Sequence, residues 1–324
     1  MSDAALTDGA VPPGVGAGVL SVEARRRLAR PRPDPVVPPD PTDRAAVSVW
    51  RERIHRAWLD GDPPAAELGH VETTVGGVRC LTVDRSTAGP IIVYFHGGGF
   101  ALGSPEVAVP ITDRLAGSTS AGTGLTLVSV DYRLSPEHPY PAAVEDGGAV
   151  VAAVTADNPG RPIVVAGDSA GANVATVVAL RSPPARRVSG LLLFSPFLDL
   201  QRQRDPDDDP ATVTDPLSDV DRRFGRWLVD GYLAGRSPID PNFSPLLADL
   251  DPLPPTLVQV GTRDSTFPDA VRFCRRARSA DRPVTLDVWD GLWHTWHYHR
   301  DLPEADRALT EANRFTRSCA SPTT

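Results

Sequence analysis

The stretch that decides the fold is "IVVAGDSAGAN", Ile163–Asn173. Its first residues form a continuous apolar run, as expected of a strand buried on both faces. "SAGANVATVVALR" then continues as a helix of small and apolar residues. Between them, Gly167-Asp168-Ser169-Ala170-Gly171 sets a serine on a strand-to-helix turn, with glycine two before and two after. Such a turn strains the serine backbone and pushes its hydroxyl off the sheet edge, while the neighbouring backbones come too close for side chains. A serine alcohol is a poor nucleophile at neutral pH. It needs a base for its proton and donors for the oxyanion that it creates.

About seventy residues upstream, "VYFHGGGFALG" (Val93–Gly103) ends a stiff strand in three glycines. Flexible residues there cost conformational entropy, so they need a reason. Side-chain-free residues let backbone N–H groups point into a site. The expected oxyanion donors are two of Gly97, Gly98 and Gly99, together with the N–H of Ala170. His96, at the head of the loop, reads as a residue that pins it.

Downstream, the strand "TLVQVG" runs into "TRDSTFPD". Asp264 sits just past the strand's C-terminal end, where sites form in open α/β sheets. Asp269 competes, but it follows Pro268 and opens a helix, where a carboxylate favours the dipole; Asp264 is favoured on placement. The strand "VTLDVWD" leads into "GLWHTWHYH". His294, His297 and His299 all qualify as the base by type, and His294 lies nearest the strand end. Their spacing resembles a metal cluster, but no carboxylate run or cysteine supports zinc. His297 and His299 read as surface or pocket-wall residues.

The same grammar extends along the chain. Apolar runs at 91–95, 125–130, 163–167, 191–195, 256–261 and 284–289 alternate with helical stretches, which predicts a parallel sheet covered on both faces. "HVETTVGGVRCLTVD" reads as two strands around a Gly-Gly turn. Residues 1–20 read as disordered. "SVEARRRLAR" opens a helix with Ser21 as N-cap. A second helix carries Ala46, Val49, Trp50, Ile54 and Trp58 at helical spacing. The long segment after "LLLFSPFLDL" has an acidic start and then "DVDRRFGRWLVDGYL", with Phe224, Trp227, Leu228 and Tyr232 on a helical period. This suggests a lid formed with the N-terminal helices.

The 324 residues carry a net charge of −8 and no lysine. A nucleic-acid partner is disfavoured, because phosphate binding needs a basic face. Three scattered cysteines suggest neither a disulfide framework nor a metal site and fit a reducing compartment. The N-terminal segment lacks a basic region and an apolar core, and no apolar run is long enough to span a bilayer. A cytoplasmic protein without stable membrane insertion is expected.

With these residues assembled, the chain resembles the hormone-sensitive-lipase-like branch of the α/β-hydrolases, bacterial carboxylesterases among them. The resemblance runs from about Ile91 to the C-terminus. It rests on "HGGGF", "DYRLSPEHPYPAAVED" (Asp131–Asp146), "GDSAGAN" and "SPLLADLDPLPPTLVQVG". It implies an α/β-hydrolase fold, a mostly parallel central sheet flanked by helices with a helical cap. By domain, 21–62 and the insertion 201–240 would form the cap, and 63–200 with 241–324 the catalytic part. The resemblance puts Ser169, Asp264 and His294 at the triad positions. It implies hydrolysis of esters with small to medium acyl groups, no cofactor, and a monomer or homodimer. The chain departs from the family where "DSTFPD" surrounds the acid and where Thr295-Trp296 follow the histidine. Candidate pocket walls are Phe100, Leu102, Phe224, Trp227, Trp293 and Trp296. Two other readings stand beside hydrolysis: a dehydratase, lyase or cyclase on the same fold, and a non-catalytic ligand-binding module.

Overall fold

A computed structural model describes residues 20–31, 36–60, 63, 65–86, 88–117, 124–183, 188–201 and 222–320. The expected disorder of residues 1–20 and the acidic start of the insertion fall almost wholly outside them. Eight strands form one sheet: β1 (Val71–Val75), β2 (Val78–Asp84), β3 (Ile91–Phe95), β4 (Thr126–Val130), β5 (Ile163–Asp168), β6 (Gly190–Phe194), β7 (Thr256–Gly261) and β8 (Val284–Trp289). Their order is β1-β2-β4-β3-β5-β6-β7-β8. β1 and β2 form the hairpin expected at Gly76-Gly77, and β2 pairs antiparallel with β4; all later pairings are parallel.

β3 to β7 are buried along their whole length. Alternate side chains enter two different cores. Ile91, Val93 and Phe95 join the side of α4 (Ala142–Asp157), α5 (Ala170–Arg181) and α7 (Phe267–Ser279). Ile92 and Tyr94 join the side of α3 (Val109–Ala116) and α8 (Pro303–Ser318). That period of two, with apolar residues at both phases, is why these strands read as unbroken apolar runs. Parallel pairing sets Phe95 beside both Val130 and Gly167, and Asp168 beside Phe194, so the C-terminal strand ends share one edge.

Three further helices lie outside the two layers. α1 (Val22–Leu28) is capped by Ser21, whose hydroxyl accepts from the Ala24 N–H at 3.0 Å. It rests on Leu292, Trp293 and Trp296. α2 (Arg44–Leu59) is capped by Asp43. It buries Val47, Trp50 and Ile54, whereas Val49, expected on that face, is 68% exposed. Positions 47, 50 and 54 form the inward stripe, and 49 lies off it. α6 (Arg222–Leu233) buries Phe224, Leu228 and Tyr232, with Phe224 and Leu228 against Trp50, Ile54, Ala101 and Leu102. No helix among the described residues is long and apolar enough to cross a membrane.

Candidate active site

Ser169 stands between β5 and α5 with φ 52° and ψ −119°. A non-glycine residue there is strained, and the surrounding structure holds it. Phe100, Ser195 and Thr295, on the neighbouring loops, also have positive φ. A Cβ on Gly171 would overlap the carbonyls of Phe95 and His96, so the first turn of α5 packs directly on the end of β3.

His294 Nε2 lies 2.9 Å from Ser169 Oγ, and His294 Nδ1 lies 2.9 Å from Asp264 Oδ1. A carboxylate can only accept, so Nδ1 carries the hydrogen and Nε2 is free to take the serine proton. Asp264 is fully buried and also accepts from the Thr266 N–H and hydroxyl, each at 2.8 Å. Burial alone would raise its carboxyl; the charge on His294 and hydrogen bonds from His294, Ser195 and Thr266 outweigh it and hold the group below its usual range. Ser195, just after β6, also accepts the Thr295 N–H at 3.0 Å and so ties down the loop that follows the histidine. Sequence reading missed Ser195; its only local signal is its place at a strand end.

The competing residues go elsewhere. Asp269 opens α7 as expected, but its carboxylate also accepts from the N–H groups of Leu198 and Asp199, both at 3.0 Å. His297 is neither surface nor pocket wall. It is completely buried beside Phe194 and Gln259, and burial depresses its basicity well below the usual value. His299 does face the cleft, where it accepts from the Trp293 indole N–H at 3.3 Å. The three histidines therefore diverge, and no metal-binding group of His, Cys, Asp and Glu occurs among the described residues.

The glycine loop divides its work. The Gly97 N–H donates to Asp168 Oδ1 at 2.9 Å. A Cβ at Gly97 would overlap the Asp168 carboxylate, which is a close-approach reason for this glycine. Gly97 is thus removed from the expected oxyanion donors. Gly98 and Gly99, at φ 116° and 62°, border the cleft beside Ser169, and Ala170 begins α5. Among the described residues no acceptor takes the N–H of Gly98, Gly99 or Ala170. His96 holds the loop from below: its ring stacks on Tyr132 at 4.3 Å, and Nδ1 donates to the Gly97 carbonyl at 2.8 Å. Burial pushes that imidazole down to about 4, so it stays neutral. The Tyr132 hydroxyl, from the "DYR" segment, donates to the His96 carbonyl at 2.7 Å.

A cleft of about 760 Å³ opens over Ser169. Of the expected walls, Leu102, Phe224 and Trp293 line it. Phe100 is core, stacked on Tyr232 at 3.8 Å, and Trp296 is fully buried against the α1 side of the molecule. Trp227 packs edge-on to Trp50 and donates to the Pro39 carbonyl at 2.9 Å. Phe197, not singled out from sequence, and Leu228, read there only as part of the lid helix, supply apolar wall in their place.

Residues 92–298 match a family model described as alpha/beta hydrolase fold. An acetyl-hydrolase of Streptomyces hygroscopicus is 36% identical over 265 residues, 80% of this chain and 84% of that protein. An esterase of Acinetobacter venetianus is 34% identical over 253 residues, 75% of this chain and 80% of that one. Among solved structures, the hormone-sensitive-lipase homologue EstE7 from a metagenome library superposes with a TM-score of 0.70 at 29% identity, covering 88% of this chain and 100% of the other.

Proposed function

This chain belongs to the hormone-sensitive-lipase-like carboxylesterases of the alpha/beta-hydrolase fold, and from that premise we propose how its own residues perform the hydrolysis. It is a carboxylic-ester hydrolase. Ser169 Oγ attacks the ester carbonyl while His294 Nε2 takes its proton. The tetrahedral oxyanion that forms is held by the N–H groups of Gly98, Gly99 and Ala170. His294 then hands the proton to the leaving alcohol, and an acyl-enzyme remains on Ser169. Water, deprotonated by the same imidazole, releases the acid. Asp264 keeps the imidazole in the tautomer with Nδ1–H and stabilises the imidazolium. Each oxyanion donor contributes about 3–4 kcal/mol to the transition state.

The observation that carries this reading is the continuous chain of contacts from Ser169 through His294 to Asp264, both links at 2.9 Å. The acyl group is small to medium in size. Support comes from a cleft within the usual range for small-molecule sites, walled by Leu102, Phe197, Phe224 and Leu228. Residues 21–62 and 201–240 act as a cap on the catalytic body formed by 63–200 and 241–324. The apolar seam of α2 and α6 over Ala101 and Leu102 supports that division.

The test is turnover of p-nitrophenyl acetate, butyrate and octanoate, with organophosphate labelling. Wild type hydrolyses the shorter esters, and Ser169→Ala loses both hydrolysis and labelling. Hydrolysis that persists in Ser169→Ala overturns the assignment of the nucleophile.

A further inference from the structure

Asp168 is 1% exposed and directly precedes the nucleophile. Its carboxylate collects three donors from three separate segments. The Tyr94 hydroxyl on β3 lies 2.7 Å from Oδ1, the Gly97 N–H lies 2.9 Å from the same oxygen, and the Tyr298 hydroxyl lies 3.1 Å from Oδ2. Gly97 begins the oxyanion loop, and Tyr298 lies four residues after His294. One buried side chain is therefore bonded to the strand beneath the site, to the oxyanion loop and to the turn that follows the catalytic histidine. It is fixed to Ser169 by a single peptide bond.

We propose that Asp168 is a positioning residue, whose carboxylate holds the Gly97–Gly99 loop and the His294–Tyr298 segment in register with Ser169. This rests on the Ser169 mechanism above.

The chemistry of the pocket explains why the charged form is needed. A carboxylate accepts all three donors. A carboxylic acid brings a fourth proton among them, so one tyrosine hydroxyl must reverse to accept it, and the remaining donors lose their charge-assisted bonds to an ionised group, which weakens the hold on the loop. Gly97 is the contact with least freedom, because a backbone N–H can only donate. The groups facing Asp168 are Tyr94, Tyr298 and His294. Tyr132 also lies within its field. All three tyrosine hydroxyls are pushed far above their usual value, by burial first, and so remain protonated donors. Burial likewise raises the Asp168 carboxyl to about 6, against the opposing hydrogen bonds from Tyr94, Tyr298 and Gly97 and the charge on His294. Protonation of Asp168 as pH falls through that region loosens the oxyanion loop and lowers turnover.

The experiment measures kcat, KM and their pH dependence for p-nitrophenyl butyrate, together with Tm. Asp168→Asn resembles the protonated carboxyl at every pH. Its kcat at neutral pH falls by about 10- to 100-fold, less than outright loss of an oxyanion donor, with KM within about twofold. Its acid limb becomes the single ionisation of the catalytic imidazole, while wild type falls off more steeply. A lower Tm with unchanged kcat and an unchanged acid limb overturns the proposal, because a residue that only packs moves nothing else. If Asp168→Asn does not fold, Tyr94→Phe and Tyr298→Phe decide. Each removes one hydrogen bond to the charged form, which raises the carboxyl's pKa, so the acid limb moves to higher pH. Limbs unmoved in both variants overturn it. Ser169→Ala separates this result from the mechanism itself: turnover surviving that change defeats the mechanism, whatever Asp168 does.

Discussion

The catalytic edge of the sheet and the helices that cover it are held by different forces. Ser169, Asp264 and the glycine loop all leave the ends of strands that are buried along their whole length, β3, β5 and β7. Their positions follow from backbone pairing and from side chains locked between two helical layers. α2 instead meets the body along a smaller seam, in which Trp50 and Ile54 lie with Phe224 and Leu228 of α6 over Ala101 and Leu102. The far face of α6 sends Val229, Tyr232 and Leu233 into the main core, Tyr232 stacking on Phe100 at 3.8 Å. Polar ties include Arg51, which donates to the carbonyls of Ala101 and Ser135 and pairs with Glu137, the Gly103 N–H, which donates to His55 Nε2 at 2.7 Å, and the Tyr140 N–H, which donates to the Tyr232 carbonyl at 3.0 Å. Fully burying an apolar side chain is worth about 1.5–3 kcal/mol, so the seam rests on only a handful of such terms. The difference teaches how the work is divided. The candidate catalytic groups stand at the paired strand ends, and the cover supplies apolar wall to the cleft.

Three groups of substitutions probe that contrast, from the largest effect to the smallest. The catalytic edge responds in rate alone. Asp264→Asn favours the wrong imidazole tautomer and lowers kcat by about 10⁴-fold, and His294→Ala loses at least as much. His297→Ala keeps most of its kcat. Steady-state kinetics on p-nitrophenyl butyrate give all three values, and the reverse ranking of the two histidines reassigns the base.

The frame under that edge responds in stability. Asp269→Ala orphans two buried N–H groups, those of Leu198 and Asp199, and costs about 2–4 kcal/mol of folding free energy. The folded fraction retains kcat within a few-fold. Denaturant titration with active-site counting checks this, and a collapse of kcat at full folding contradicts the division between frame and machinery.

The cover responds in binding. Phe224→Ala and Leu228→Ala remove apolar wall from the cleft, so KM rises several-fold for octanoate and much less for acetate, at about 0.8 kcal/mol per buried methylene lost. Equal losses on both esters place these side chains outside the acyl-binding surface and blur the contrast.

Much of the site is local and therefore readable in one dimension. The strand–turn–helix around Ser169, the glycine run after β3 and the strand ends before Asp264 and His294 each occupy fewer than a dozen residues. Their backbone needs select residue types directly. Trp296 and His297 show where this stops. Flanking the histidine made them look like pocket residues, but the turn at Trp296–Tyr298 rotates both into the interior. The left-handed Thr295 just before it, at φ 49°, redirects the chain, and nothing in its residue type announces that.

By itself the sequence determined the strands, the turn that carries Ser169, the start of α1, the helix stripes of α2 and α6 to within a residue or two, and a short roster of acids and bases. Each of these depends on contacts between near neighbours. Only the tertiary structure decided that the Gly97 N–H serves Asp168 while those of Gly98 and Gly99 do not, that Ser195 bonds to Thr295 and Tyr298 to Asp168, and that Phe197 and Leu228 form wall where Phe100 and Trp296 do not. Those pairings join residues as much as 130 positions apart. Sheet register and helix packing set such distances, and no local pattern of residues encodes them.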